Sequence, residues 1–157
     1  MARSLLIVES PAKARTISRY LGDGFQVKAS VGHVRDLPDK ELGVNIAQGF
    51  EPVYQVSPGK AAVLEDIRTA ARSAERIYLA TDPDREGEAI AWHVAEAASL
   101  PAERTRRIVF HQVTKDAVQH ALTEARDLDH DLVDAQQARR VLDRLVGYQV
   151  SPLLSRA

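Results

Sequence analysis

The sequence predicts an α/β fold: a mostly parallel four-stranded sheet flanked by helices, followed by one long C-terminal helix. Three observations carry this expectation. Short apolar runs at 4–9, 25–31, 76–81 and 108–110 alternate with helical stripes, the order that yields a parallel sheet covered on both faces. The first run, SLLIVE, is continuously apolar from Leu5 to Val8, as in a strand buried on both sides. Near the end of the chain, Leu128, Leu132, Ala135, Ala138, Leu142 and Leu145 trace one stripe of a long helix that should end near Gly147.

The elements follow in order. After the first strand, Ser10 and Pro11 supply an N-cap and a first helical residue, and Gly22 should stop that helix. Phe25, Val27, Ala29 and Val31 alternate with polar neighbours and form the second strand. Residues 32–58 hold three prolines and three glycines with weak periodicity, which predicts a long loop without secondary structure of its own. Ser57-Pro58 repeats the cap-and-proline start, and Val63, Leu64, Ile67 and Ala71 give the next helical stripe. RIYLAT (76–81) is the third strand, a helix runs from about 85 to 98, IVF (108–110) is the fourth strand, and Thr114 caps a further helix.

At 157 residues the chain suits one domain with a real core. Its apolar runs are far shorter than the ~20 residues of a bilayer span, and MARSLLIVES lacks the pattern of a signal peptide. No membrane partner is expected. The chain has no cysteine, so disulfides and thiolate sites are excluded and a cytoplasmic location fits. With 21 basic and 22 acidic residues, overall charge does not favour nucleic-acid binding. Basic clusters at 104–107 and 139–144 nevertheless leave a local patch open.

The strongest chemical signal is LATDPDREGEAIAWH (79–93), where Asp82, Asp84, Glu86 and Glu88 alternate just after a strand. Two carboxylates ~5 Å apart repel by ~3 kcal/mol at an effective dielectric of ~20, so something must offset the charge. Helix chemistry accounts for part of the cluster: Asp84 as N-cap, with Glu86 and Glu88 favourable near the positive helix end. Asp82 is left over. A divalent cation explains it, since magnesium takes oxygen ligands, commonly one or two carboxylates plus a substrate phosphate. Parallel sheets bind ligands beyond the carboxyl ends of their strands, so Glu9 and Asp82 should open onto one edge. Lys13, one turn into the following helix, should point at the same rim, where it can hold a phosphate as a point charge.

Together with the acidic stretch, LLIVESPAKARTISRYLG, SVGHVRDLP and DAQQARRVLDRLVGYQVSPLL resemble the N-terminal part of bacterial type IA DNA topoisomerases, across nearly the whole chain and in family order. The acidic stretch alone resembles only a Toprim domain, a Rossmann-like fold shared with primases and some nucleases. What the type IA resemblance implies is strand cleavage by a tyrosine, strand passage and resealing, which relaxes negatively supercoiled DNA. It assigns Glu9, Lys13 and Arg85 to catalysis, with Glu9 as acid/base at the 3′-hydroxyl, and Glu9, Asp82, Asp84 and Glu86 to Mg2+. Glu88 becomes a partner behind the ligands.

For DNA, the resemblance implies contacts from His33, Arg139, Arg140, Val141, Arg144 and Gln149, along the path of the single strand. Arg140 and Arg144 are four apart and share a helix face, while Arg139 is spaced to pair with Asp143. His93, on the apolar side of its helix, is expected in the core. The implied division is a Toprim domain over 1–125 and, over 126–157, the start of an adjoining helical DNA-binding domain. The implied nucleophile lies far downstream in another domain, and Tyr20, Tyr54, Tyr78 and Tyr148 do not sit in its motif. The chain is therefore expected to carry half an active site, to need the rest of a topoisomerase chain, and to be inactive alone. A nucleoid-associated, cytoplasmic setting follows from the resemblance.

Two rival classes stay open at this level. One is a stand-alone Toprim nuclease, or a phosphatase using Asp82 as nucleophile. Against the phosphatase, Glu86 stands where that class has a threonine or valine. The other rival is a non-enzymatic single-stranded DNA-binding module, which 5% aromatic content disfavours because base stacking needs aromatic platforms.

Overall fold

The computed structural model describes residues 3–36, 44–45, 51–52 and 54–156, with side chains described for 3–36 and 54–146. The strands are β1 (Arg3–Val8), β2 (Phe25–Ala29), β3 (Arg35–Asp36), β4 (Val44–Asn45), β5 (Glu51–Pro52), β6 (Gln55–Val56), β7 (Ala74–Leu79) and β8 (Thr105–Arg107). The helices are α1 (Pro11–Leu21), α2 (Ala61–Arg72), α3 (Arg85–Ala97), α4 (Lys115–Thr123) and α5 (His130–Arg156).

One parallel sheet of four strands, in the order β2-β1-β7-β8, organises the fold. The inner strand β1 explains the uninterrupted LLIV run (5–8). Successive side chains of a strand face opposite sides, and here both sides are dry. Leu5 and Ile7 join Ile67, Ile77, Leu79, Ile90 and Val94 in one core layer. Leu6 and Val8 join Ile17, Ile108 and Val118 in the other. All four β1 residues have no exposed surface. Among the described residues, no helix is long and apolar enough to cross a membrane.

The chain leaves β1 toward β2 on one side and returns to β7 on the other. That reversal opens a crevice at the carboxyl ends of β1 and β7, the place where open α/β sheets bind ligands. Ser10 caps α1 by accepting a hydrogen bond from the Lys13 amide, with Pro11 at the first helical position. Thr114 caps α4 as expected, accepting from the Ala117 amide.

Four local expectations are corrected. The fourth strand is Thr105–Arg107 rather than 108–110. Its ladder stops at the Leu79–Arg107 pair, and Ile108 enters the core just as the chain leaves the sheet. Ser57-Pro58 does not start a helix: the Ser57 carbonyl accepts from the Lys60 amide (3.1 Å) in a turn through Gly59 (φ 79°), which delays α2 until Ala61. The segment 32–58 is not devoid of structure, because β3 pairs with β6 and β4 with β5, both antiparallel. Finally, α5 does not end near Gly147 but continues to Arg156. The anticipated stripe is not the buried face: Leu132 and Leu145 are half-buried, Ala135 and Ala138 are exposed and Leu142 is 60% exposed. Val133, off that stripe, is buried, and the helix packs against α3.

Candidate active site

Glu9 leaves the end of β1 and Asp82 the end of β7, and the two meet as the strand alternation requires. The Asp82 amide donates to Glu9 Oε2 (2.7 Å). Lys13 reaches back from the first turn of α1 and donates to Glu9 Oε1 (2.7 Å) and Asp82 Oδ1 (2.5 Å). Its ammonium thus offsets the charge of two converging acids. Burial works against the Lys13 charge, but the hydrogen bonds to Asp82 and Glu9 outweigh it and raise its pKa above the ordinary lysine value. Lys13 is a cation throughout the physiological range.

Asp84 has the capping role that helix chemistry anticipates, with its Oδ1 accepting from the Gly87 amide at 2.6 Å. Glu86 Oε1 lies 2.9 Å from His33 Nε2 at the exposed rim. Arg85 and Arg139 line a cavity of about 380 Å³ with Asp84, Glu86 and Gln136. A neighbouring cavity of about 310 Å³ is bounded by His33, Arg35, Glu86, His93, Arg140 and Asp143, among others. Arg140 makes a bidentate pair with Asp36 (3.0 and 2.7 Å). The anticipated Arg139–Asp143 pair does not form among the described residues, and the two side chains line different cavities. Val141 and Arg144 are half-buried. The side chain of Gln149 lies outside the described residues.

Among the described residues no group of three or more histidine or acidic side chains is arranged to hold a metal ion. The donors nevertheless fit a hard cation in kind. Asp82 Oδ2 and Asp84 Oδ2 have no hydrogen-bond partner among the described residues, and magnesium needs only one or two carboxylates when phosphate and water complete its shell. Glu9 differs, since both its oxygens are engaged.

Behind the rim lies a buried ionic cluster. Glu88, 1% exposed, accepts from Arg107 Nε (2.9 Å), from Arg126 Nη1 and Nη2 (3.1 and 3.0 Å) and from the Asp129 amide (2.7 Å). Burial pushes the Glu88 carboxyl up, but Arg126, the Asp129 amide and Arg107 together hold it below its usual value. Arg107 has no exposed surface, and its guanidinium also donates to the carbonyls of Leu79, Thr81, Asp82 and Ile108. Sequence reasoning missed Arg107, which reads as one more member of the 104–107 basic cluster. The one available signal is an arginine bordering the apolar IVF run.

His93 is in the core, as its helical position suggests, at 6% exposure. Its Nδ1 accepts from Arg35 Nε (2.7 Å), and the Arg35 guanidinium lies over the rings of Tyr54 and Trp92. Burial foremost, then the charges of Arg35 and His33, push the imidazole down to about 3 from 6.5. The native histidine is therefore neutral where the unfolded one takes up a proton. This contribution is complete above pH 6.5 and is lost as pH falls toward 3, by up to about 1.4 kcal/mol per pH unit. A His93→Gln variant, which cannot ionise, should lose less stability than the parent between pH 6.5 and about 5. Urea unfolding at both values measures the difference; equal losses would show that His93 does not carry the acid sensitivity.

The Toprim domain family matches residues 4–113. Full-length topoisomerase I from Thermotoga maritima is similar in structure, with a TM-score of 0.89 and 44% identity, covering 96% of this chain and 26% of that one. The chain thus spans about a quarter of that protein's length. With acids from two adjacent parallel strands meeting at the reversal of strand order, and with the family matching residues 4–113, this chain belongs to the Toprim domain family.

Proposed function

We propose that this chain is the N-terminal, magnesium-binding part of a type IA DNA topoisomerase, which cleaves, passes and reseals one strand to relax negatively supercoiled DNA. The observation that carries this reading is the Glu9–Lys13–Asp82 cluster at the sheet's carboxyl edge, in a chain 44% identical to a topoisomerase I over most of its length. Magnesium, when bound, supplies positive charge for the phosphate oxygens. Asp82 and Asp84 would hold it, with Glu86 and Glu9 beside them.

The chain's own residues do the rest. Glu9 in its acid form gives its proton to the leaving 3′-oxygen, which departs as a hydroxyl, and the carboxylate takes that proton back on resealing, oriented by Lys13 and the Asp82 amide. Lys13 and Arg85 hold the scissile phosphate. The single strand runs from His33 along α5, past Arg139, Arg140, Val141, Arg144 and Gln149, with Asp143 and Glu88 as supporting side chains. Residues 126–157 begin the adjoining DNA-binding domain, and the protein works in the cytoplasm at the nucleoid.

The described tyrosines are employed elsewhere. Tyr20 donates to the Val113 carbonyl, Tyr54 packs on His93, and Tyr78 packs beside Phe25. On this reading the 157-residue chain should neither cleave nor relax DNA by itself. Relaxation of a supercoiled plasmid by the purified chain would overturn that expectation, and a magnesium-dependent nick without a covalent adduct would replace the reading with a nuclease. Asp82→Asn combined with Asp84→Asn should abolish saturable magnesium binding in calorimetry. A titration curve matching the parent's would remove both aspartates from the ligand set. DNA binding by the chain should be weak and fall steeply with salt, as phosphate contacts require.

A further inference from the structure

Asp82 is the residue on which the rim depends, and its backbone is fastened on both sides. Its amide donates to Glu9 Oε2, while its carbonyl accepts from Arg107 Nη2 at 2.6 Å. The same guanidinium holds the Thr81 carbonyl (2.8 Å) and meets Glu88 through Nε (2.9 Å). Glu88 in turn receives Arg126 and the Asp129 amide. Asp129 is the residue just before α5, and its Oδ1 accepts from the amides of Asp131 and Leu132 in the first turn. Arg126 and Arg107 also exchange backbone hydrogen bonds (2.6 and 2.9 Å). A continuous hydrogen-bonded path thus joins the start of α5 to the Asp82 carbonyl through two buried ionic side chains.

We infer that Arg107 is a positioning residue for Asp82, and that Glu88 links it to the root of α5, so that one buried pair sets both the presentation of the rim acid and the departure of the arginine-bearing helix. This deepens the reading of Asp82 as a magnesium ligand and rests on it for its metal readout. Isolated ion pairs on the surface have no such reach, because water competes for each partner. Here Arg107 and Glu88 are 0% and 1% exposed, and partners lying behind a ligand typically change metal affinity by about 10–100-fold when removed.

The test uses three variants of the whole chain. Arg126→Met removes a half-exposed partner of Glu88 that touches neither Asp82 nor the rim. Arg107→Lys keeps a cation beside Glu88 but loses the fork that holds the carbonyls. Arg106→Met is the control, because it breaks only the exposed pair with Asp127. Two quantities are read: hydrogen exchange of the Asp82 amide by NMR, and the midpoint of a titration with magnesium alone. Arg126→Met should remain folded by circular dichroism, exchange the Asp82 amide at least several-fold faster, and raise the magnesium midpoint by about tenfold. Arg107→Lys should move both readouts further in the same directions, and Arg106→Met should move neither.

Parent exchange rates and a parent midpoint in Arg126→Met would overturn the link, even if Arg107→Lys fails to fold. An equal effect from Arg106→Met would also overturn it, by showing a general loosening. If the parent chain shows no saturable magnesium binding, the ligand reading of Asp82 fails separately. Amide exchange then decides the linkage alone: faster exchange in Arg126→Met upholds it, and an unchanged rate defeats it.

Discussion

Arg107→Met is expected to destabilise the chain by about 3–5 kcal/mol, the range seen when one partner of a buried ion pair is removed. Methionine fills much of the volume but supplies no donor. Glu88 keeps Arg126 and the Asp129 amide, yet it loses its fully buried cation. The carbonyls of Leu79, Thr81, Asp82 and Ile108 lose a guanidinium donor together, and each buried group left unpaired costs about 1–3 kcal/mol. Since domains are stable by only about 5–15 kcal/mol, the variant should melt far below the parent or fail to fold. Urea unfolding followed by circular dichroism measures this. The half-exposed Lys28–Asp66 pair provides a scale: its removal should cost less than about 1 kcal/mol. An Arg107→Met chain within that smaller range would show that the buried pair is not a principal support of the fold.

Gly87→Ala is expected to be nearly as damaging, although alanine is the better helix former. A Cβ at residue 87 would lie 1.9 Å from the Asp82 carbonyl oxygen, 2.7 Å from its carbon and 2.9 Å from the Asp82 nitrogen. Backbone, unlike a side-chain tip, cannot rotate away. The first turn of α3 and the 81–84 loop would have to separate, straining the Thr81 hydroxyl bond to the Gly87 carbonyl and the Asp84 cap. Overpacking of this kind costs about 1–3 kcal/mol, and rigid neighbours put this case near the top of the range. Magnesium binding should weaken together with stability, because the displaced group is Asp82 itself. A Gly87→Ala chain with parent stability and a parent magnesium midpoint would disprove the close approach.

Much of this architecture could be read from local pattern. LLIV (5–8), apolar at every position, announced a strand covered on both faces, and the alternation of strands and helices placed Glu9 and Asp82 at one edge. Lys13 followed from its spacing to Glu9, and Asp84 from its capping position. The errors cluster where a local rule met a tertiary commitment. Ser57 has the sequence of a cap, but the chain turns at Gly59 and the β6 strand just before it pairs with β3, so the helix begins only at Ala61. IVF has the composition of a strand, but the paired residues are the polar TRR before it. The leucines of α5 suggest a buried stripe, yet Leu132 and Leu145 are half-buried and Leu142 stays open to solvent.

The sequence by itself determined what neighbours along the chain can decide: periodicity, capping, and the delivery of acids to strand ends, all governed by contacts within a few residues. Only the tertiary structure decided how the charges are matched. Arg107 meets carbonyls up to 28 residues away, Glu88 reaches Asp129 41 residues on, and Arg140 finds Asp36 at a separation of 104. A charged side chain in one dimension looks solvated wherever it falls. It becomes a buried support only when folding removes its water and distant groups replace those hydrogen bonds, and spacing along the chain does not reveal which groups those are.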